Sequence, residues 1–216
     1  MNRSGTVAVA GVLLLLSGAL VVRAYERELR PDLLREGWYL GKNDKRYEEF
    51  KRGYVKTFPL PKEGIHIERI EVRTPFKEMV DRARRAADGY SPVTAEAEYK
   101  KQPPPLVVEV TLKLTPSFPA HTPYTLPIHI GPIYVRDANF WQDFDVHLVQ
   151  RGDIEPRAAT GRPLYSCDAW GGCWLIGAQV AYEFDVDQVA SRPATVVVFS
   201  PDGQTLEAEF DLDRLK

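Results

Sequence analysis

The chain is poor in the residues and spacings that most enzymes and metal proteins show. Its 216 residues include two cysteines and four histidines. No two histidines stand at a zinc-ligand spacing, and no GxSxG, Walker or GxGxxG sequence occurs, so the common hydrolase and nucleotide signatures are missing. Paired aspartates such as Asp143 and Asp145 lack the glycine-containing loop of an EF-hand, and the outward polar face of a strand explains them. The sequence therefore predicts no catalytic residue, no metal and no cofactor.

Charge of one sign is not concentrated into a block. Residues 23–101 contain 19 Lys or Arg and 15 Asp or Glu, whereas residues 106–216 contain 8 and 15. The first part is mildly basic, but its positive residues alternate with carboxylates, as on an ordinary solvated surface. The second part is acidic. Because a nucleic acid requires a basic face, the sequence argues against nucleic-acid binding.

One uninterrupted apolar run lies at the N-terminus. Thr6 to Val22 contains 17 residues without a charge, and as a helix it would be about 26 Å long, close to the ~30 Å of a bilayer core. The run predicts a signal-anchor transmembrane helix over residues 1–24, or a signal peptide cleaved after Ala19 or Ala24. We favour the uncleaved anchor, because the apolar run continues beyond Ala19 and a charged, helix-compatible stretch follows it.

The sequence gives conflicting signals about the side of the membrane on which the body lies. Arg23, Arg27, Arg30 and Arg35 follow the run while Arg3 precedes it, which by the positive-inside rule favours a cytoplasmic body. Neighbouring carboxylates make this flank almost neutral, however, and a β-rich body with one close cysteine pair is typical of an exported domain. We therefore expect a single-pass cell-membrane protein with its body on the periplasmic or extracellular side.

Residues 25–64 are predicted to form a helical juxtamembrane stalk and linker. Pro31 restarts a first short helix, and a second helix opens at Asn43 and stops at Gly53. Two prolines within residues 58–64 are typical of a connector. These residues are expected to be a stalk or collar, not a catalytic domain.

A small α+β unit is predicted over residues 65–101. Ile70 and Val72 fit a strand that changes phase near its start, and Thr74-Pro75 is a favourable helix start. The helix that follows has one apolar face, and we expect its opposite face to be exposed: Lys77, Asp81, Arg84, Arg85 and Asp88. Residues 93–99 fit a further strand, and the prolines of residues 102–105 predict a stiff bridge to the last domain.

Residues 106–216 are predicted to form an antiparallel, immunoglobulin-like β-sandwich. Apolar and polar residues alternate with period two in at least six segments, and Pro201-Asp202-Gly203 is a turn between the last two. The antibody-type cysteine spacing with its intervening tryptophan is absent, so the assignment concerns the sandwich architecture alone. The whole chain is expected to be mainly β, with a small α+β part and one N-terminal helix before it.

The two cysteines, Cys167 and Cys173, are predicted to form a structural disulfide. Two glycines between them let the backbone turn back, and the small ring stabilises the fold by about 2 kcal/mol in the chain-entropy description. A redox pair would usually be a CxxC sequence at a helix start, and a zinc site would require two further ligands.

Aromatic residues in two segments are candidates for partner binding. Trp170 and Trp174 flank the cysteine loop, and Phe140 and Trp141 lie elsewhere. Residues 116–132 contain five prolines together with Phe118 and Tyr124, and a stiff aromatic segment loses little entropy on docking. Core packing of the tryptophans, and an inter-sheet crossover for the proline-rich segment, remain open alternatives.

Three classes of function remain. The first, which we favour, is a membrane-anchored, non-catalytic protein that binds or scaffolds another protein, such as an accessory subunit of an inner-membrane complex; it predicts an exposed aromatic patch and no polar pocket. The second is a periplasmic small-molecule or glycan binding module with a site lined by Trp141, Trp170 or Trp174. The third is a redox or hydrolytic enzyme with ionisable groups converging near His129, His147 or the cysteines.

Overall fold

The computed structural model describes residues 28–59, 61, 66–86, 89–115, 122–124, 133–135, 137–169 and 173–216. The predicted anchor over residues 1–24 lies outside these ranges, and no helix within them is long and apolar enough to cross a bilayer. The described helices are α1 (Pro31–Gly41), α2 (Asp44–Lys51), α3 (Pro75–Arg85) and α4 (Pro92–Lys101). The described strands are β1 (Val55–Thr57), β2 (His66–Arg73), β3 (Leu106–Lys113), β4 (Thr122–Tyr124), β5 (Ile133–Val135), β6 (Asp145–Val149), β7 (Asp153–Ile154), β8 (Ala158–Cys167), β9 (Cys173–Phe184), β10 (Pro193–Phe199) and β11 (Thr205–Asp211).

Two antiparallel sheets enclose the main core. The strand order is β1-β2-β3-β9-β8 in the first sheet and β11-β10-β6-β7 in the second, while β4 and β5 pair separately. Val110 and Val180 of the first sheet and Val146 and Val196 of the second are buried in the same apolar cluster. The predicted alternation of buried and outward residues is therefore confirmed, and the fold is mainly antiparallel β with a few helices.

Strand pairing corrects the predicted boundary at residues 102–105. β2, from the predicted α+β unit, pairs with β3, with Val72 opposite Val108, and β1, from the predicted stalk, pairs with β2. Tyr54 is also buried in the core between the sheets. The prolines therefore lie in a short connection from α4 to β3, and the residues on both sides of them share one sheet.

The phase change that the sequence indicates in β2 is present as a break in register. The pairing of β2 with β3 shifts between Ile67 and Arg69, as at a β-bulge, which inserts one extra residue on one strand. After this shift Ile70 and Val72 face the core, and Arg69, Glu71 and Arg73, which alternate with them, lie on the outer face of the sheet. The shift thereby sets which side chains of β2 reach the outer face of the first sheet.

The helices form a layer with an apolar cluster of its own. Its buried members are Leu29, Leu33, Leu34, Leu40, Phe76, Met79, Val80, Ala83, Ala95 and Tyr99. Helix α1 approaches α3 closely at Gly41, where a Cβ would lie 2.3 Å from the carbonyl oxygen of Val80. A side chain at position 41 would therefore separate the two helices.

The predicted strand over residues 93–99 is wrong, because these residues belong to α4. The Ser91 hydroxyl accepts a hydrogen bond from the backbone N–H of Thr94 at 3.1 Å, and Pro92 begins the helix. This is the same start as Thr74-Pro75 of α3, where the threonine hydroxyl accepts from the N–H of Lys77. The hydroxyl cap and the proline in the first turn thus favour a helix more strongly than the β-branched residues that follow them favour a strand.

Candidate binding sites: the disulfide arm and the outer-face cleft

The β8–β9 hairpin extends beyond the sheet as a short arm closed by a disulfide bond. Pairing of β9 with β3 ends at Gly177, opposite Lys113, so residues 165–167 and 173–176 project past β3; we call them the disulfide arm. The Cys167–Cys173 bond joins the last paired residues of the two strands. The predicted disulfide is therefore present, and it fixes the end of the arm.

The disulfide arm exposes aromatic side chains. Tyr165 is 53% exposed and Trp174 is 51% exposed. Tyr165 lies opposite Leu175, and Trp174 lies opposite Ser166, so the two aromatics occupy successive pairs and point to opposite faces of the hairpin. Trp174 was predicted as a partner-binding residue, whereas Tyr165 was not identified from the sequence because nothing in its local pattern distinguishes it from a packed tyrosine.

The proline-rich connection begins beside the disulfide arm. The backbone N–H of Leu114, just after β3, donates to the carbonyl oxygen of Ile176 at 2.9 Å. Tyr124 lies on β4, which pairs with β5, and its side chain is outside the described part of the chain. Phe118 and Trp170 also lie outside the described residues.

Phe140 and Trp141 pack on the core, which is the alternative that the sequence left open. Phe140 is buried between the sheets, with its ring centroid 6.3 Å from that of Phe144. The indole of Trp141 lies against Gly161 of β8, where a Cβ would come within 2.2 Å of the ring. Neither side chain forms part of the exposed aromatic surface of the disulfide arm.

A second candidate site is a cleft on the outer face of the five-stranded sheet. Its volume is about 520 Å³, within the usual range for small-ligand sites. The floor comes from outward residues of four strands, and α2 and α3 form the wall. The lining residues are Tyr47, Lys51, Arg69, Glu71, Arg73, Asp81, Arg84, Arg85, Glu109, Thr160, Gly161, Arg162, Gln179 and Ala181. We call this site the outer-face cleft.

A buried ion cluster joins α3 to the floor of the outer-face cleft. Lys77 is fully buried, and its Nζ lies 2.5 Å from Oε1 of Glu71 and 2.6 Å from Oδ2 of Asp81. Both carboxylates are themselves less than one-tenth exposed. The expectation that this face is exposed is therefore wrong for Lys77 and Asp81, which the sheet covers while α1 covers the apolar face. Arg84 and Arg85, in the last turn of α3, are exposed as predicted.

Two arginines and one glutamate continue this cluster across the sheet. Glu71 and Glu109 lie directly opposite each other on β2 and β3, a like-charge pairing that would be destabilising alone. Arg69 bridges them, with Nη2 3.2 Å from Glu71 and 2.9 Å from Glu109. Arg73 also contacts Glu109, at 3.2 Å. The repulsion between the two carboxylates is thus offset by cations on both sides.

The ring of Tyr47 holds two charged side chains, Asp81 and Arg84, in place in the wall of the outer-face cleft. The hydroxyl of Tyr47 donates to Oδ1 of Asp81 at 3.1 Å, and burial together with the charge of Asp81 raises the pKa of Tyr47 to about 12. The guanidinium of Arg84 lies 4.3 Å from the centre of the Tyr47 ring and pairs with Asp44 at 2.8 Å. A cation over an aromatic face is attracted to it, so Arg84 is held at the edge of the cleft.

The outer-face cleft was not predicted from the sequence, although one sequence pattern was consistent with it. Outward positions of β2 read Arg69, Glu71, Arg73, and those of β3 and β9 include Glu109 and Gln179. The same mixture of both charge signs is also typical of an ordinary solvated surface. Only pairing of the strands in this order, however, brings these residues together.

His147 lies on the second sheet, remote in the strand order from the outer-face cleft. Its Nδ1 is 2.6 Å from Oδ2 of Asp153 and its Nε2 is 2.9 Å from Oδ2 of Asp145. Partial burial lowers the pKa of His147, but the hydrogen bonds and charges of the two aspartates outweigh burial and raise it above 6.5. His129 lies outside the described residues. Within the described ranges, no three His, Cys, Asp or Glu side chains are arranged to bind a metal ion.

Comparison with known proteins gives no match. No family model fits the chain, no curated protein matches its sequence, and no solved structure matches it. Its function is therefore inferred from the geometry of the disulfide arm and the outer-face cleft.

Proposed function

We propose that this chain is a membrane-anchored, extracytoplasmic, non-catalytic protein that binds another protein through its disulfide arm. The main support for this proposal is that two half-exposed aromatic residues, Tyr165 and Trp174, lie on opposite faces of the disulfide-closed arm. Tyrosine and tryptophan are enriched at the energetic centres of protein interfaces, because they bury much area with few rotatable bonds. A partner that binds both faces of the disulfide arm would contact both rings.

The immunoglobulin-like assignment of the sandwich is part of the proposal, and strand order supports it. When β2, β3, β6, β7, β8, β9, β10 and β11 are labelled A, B, C, C′, D, E, F and G, the second sheet reads G-F-C-C′, and the first reads A-B-E-D with β1 as an additional edge strand beside A. This is the strand order of immunoglobulin-type sheets. Helices α3 and α4 are then an insertion between the first two strands. Domains of this architecture commonly present binding segments on their connections.

Two observations support the proposed location. The apolar run over Thr6 to Val22 is suited to a signal anchor. A disulfide persists in oxidising compartments such as the periplasm and is rare in the cytosol. We therefore place the anchor in the cell membrane and the body on the outer side, against the positive-inside count. A partner in or at the same membrane, such as a subunit of an inner-membrane complex, fits this arrangement.

Recovery of a partner by the full-length chain from crosslinked membranes tests the proposal. We expect Trp174→Ala and Tyr165→Ala each to lose most of the crosslinked partner, because each removes a half-exposed ring from the arm. The matched control is Tyr39→Ala, which removes a ring that is 62% exposed on α1. Loss with the arm variants and retention with the control supports the proposal. An unchanged partner yield with Trp174→Ala and Tyr165→Ala contradicts it.

The location has its own test. Thiol labelling of intact cells that express the full chain is expected to modify Cys167 and Cys173 only after a reductant is added, and externally added protease is expected to degrade the body once the outer barrier is permeabilised. Free thiols on a protease-protected body would place it in the cytosol. The intact mass of the purified chain reports both whether residues 1–24 remain and whether the disulfide is closed.

A small-molecule binding role is a second candidate, and the outer-face cleft favours it. The protein-binding class predicts no polar pocket, whereas the outer-face cleft is lined mainly by charged residues. The sequence predicted a small-molecule site lined by Trp141, Trp170 or Trp174. Neither Trp141 nor Trp174 lines the outer-face cleft, and Trp170 lies outside the described residues. The two roles are compatible, because the disulfide arm and the cleft share no lining residue.

A further inference from the structure

We propose that the outer-face cleft binds a small polyvalent oxyanion, one that bears phosphate or carboxylate groups. This site is separate from the disulfide arm, and the inference goes beyond the proposed protein-binding function. Its first support is the charge of the lining, where six cationic side chains face three carboxylates: Lys51, Arg69, Arg73, Arg84, Arg85 and Arg162 against Glu71, Asp81 and Glu109.

The excess of positive charge persists when the ion-pair partners behind the lining are included. Lys77 adds one cation, and Asp44 and Glu78 add two carboxylates. Seven cations then stand against five carboxylates. A cleft with an excess of one charge sign and low-dielectric walls concentrates ligands of the opposite sign.

Several cationic donors in the cleft are not used by protein carboxylates. Arg162 donates to the amide oxygen of Gln179, and among the described residues neither Arg162 nor Lys51 has a carboxylate partner. The Nε of Arg73 is buried and has no hydrogen-bond acceptor within the described part of the chain.

The residue type indicates oxyanions in particular. Five of the six lining cations are arginines, whose planar guanidinium presents paired N–H groups that match two oxygens of a carboxylate or phosphate. The floor is preorganised, because Arg69 and Arg73 are fixed by Glu109 and Arg84 by the Tyr47 ring. Side chains that are already ordered lose little entropy when the ligand binds.

A neighbouring cleft provides an internal comparison. It has a volume of about 460 Å³ and is lined by three cations and three carboxylates: Arg73, Arg82 and Lys101 against Glu78, Glu98 and Glu183. Its size is similar, but its charge is balanced. We therefore expect no anion preference there, and Lys101 serves as the matched control for Lys51.

Calorimetric titration of the full-length chain in neutral detergent tests the inference. The probes are pyrophosphate and citrate as free polyvalent anions, glycerol phosphate as a lipid-headgroup analogue, and glucose as a neutral control, each at low and at high salt. We expect the anions to bind at low salt and more weakly at high salt, because salt ions screen the attraction between the anion and the cationic side chains of the cleft. Tighter binding of glycerol phosphate than of pyrophosphate would assign the site to headgroups, and the reverse to free anions.

Matched variants locate the site. Lys51→Gln and Arg162→Gln should each weaken pyrophosphate binding about tenfold, the usual loss for one charge-assisted hydrogen bond. Lys101→Gln in the balanced cleft, and Arg157→Gln beside the start of β8, should change it less than about twofold. Arg73→Lys keeps the charge but removes the planar guanidinium with its paired N–H groups and should also weaken binding, with circular dichroism to verify folding.

Three results would overturn the inference. These are no binding of any anion at low salt, equal weakening by the cleft variants and their matched controls, or binding of glucose that Arg162→Gln abolishes. None of them bears on the disulfide arm, so failure here leaves the crosslinking test of the proposed function intact. Conversely, loss of the protein partner with Trp174→Ala should leave pyrophosphate binding unchanged.

Discussion

Replacing Lys77 by methionine is expected to destabilise the protein by about 3 to 5 kcal/mol, the usual cost of removing one partner from a buried ion cluster. Lys77 is fully buried and makes short contacts to Glu71 and Asp81. Each hydrogen bond between charged groups contributes about 1.5 to 3 kcal/mol, so the loss of two such bonds would cost about 3 to 6 kcal/mol, which agrees with that range. Methionine fills a similar volume, and the loss therefore reports on charge and not on a cavity.

The free energy of unfolding in urea, measured for the full chain in detergent, is the assay. For a chain of this size the loss corresponds to a fall in Tm of about 10 °C. The matched control is Lys100→Met, because Lys100 also pairs with a carboxylate four residues away, Glu96, at 2.7 Å, but is solvent-exposed; its loss should stay below about 0.5 kcal/mol.

A rescue and a refutation complete the test of the buried cluster. Adding Glu71→Gln and Asp81→Asn to Lys77→Met should recover at least half of the loss, because the two carboxylates that have lost Lys77 are then replaced by neutral amides. If Lys77→Met costs less than about 1 kcal/mol, or no more than Lys100→Met, the cluster is solvated and our account of α3 is wrong.

Three further predictions concern other parts of the fold. Gly161→Ala should cost about 1 to 3 kcal/mol and change tryptophan fluorescence, because a Cβ there meets the ring of Trp141; an unchanged melting curve would contradict this contact. Reducing the Cys167–Cys173 disulfide should cost about 2 kcal/mol in thermal melts with and without reductant, and no shift would mean that the bond does not constrain the unfolded chain. His147→Asn should destabilise the protein at pH 5.5 but not at pH 8.5. The pKa of His147 is higher in the folded protein than in the unfolded chain, so its protonated form stabilises the fold below pH 6.5, and this contribution is lost as the pH rises through the folded-state pKa. Equal destabilisation at pH 5.5 and pH 8.5 would refute the ionic role.

Local sequence signals predicted much of the secondary structure because each has a short-range physical cause. Asn43 caps α2 by accepting from the N–H of Arg46, and Thr74-Pro75 begins α3. The alternation in β3 and β9 and the turn before β11 gave the correct strands. The one clear error in element type, over residues 93–99, arose where β-branched residues follow a helix cap that outweighs them.

Long-range pairing decided what local signals could not. Periodicity shows that a strand has two different faces, but not which strand lies beside it. The prolines of residues 102–105 therefore predicted a domain boundary, whereas β2 pairs with β3 across them. The same pairing places Glu71 opposite Glu109 and thereby creates the need for Arg69 between them.

By itself the sequence determined the apolar N-terminal run, the β-rich body, the close cysteine pair and most helix and strand positions, because backbone capping, side-chain periodicity and turn formation act over a few residues. Only the tertiary structure decided that Lys77 and Asp81 are buried, that Trp141 lies against Gly161 and that Tyr165 and Trp174 are exposed. It also decided that arginines from β2, β8 and α3 meet carboxylates from β2, β3 and α3 in one cleft. These outcomes depend on which surfaces cover one another, and burial is a property of the packed layers that no single segment carries.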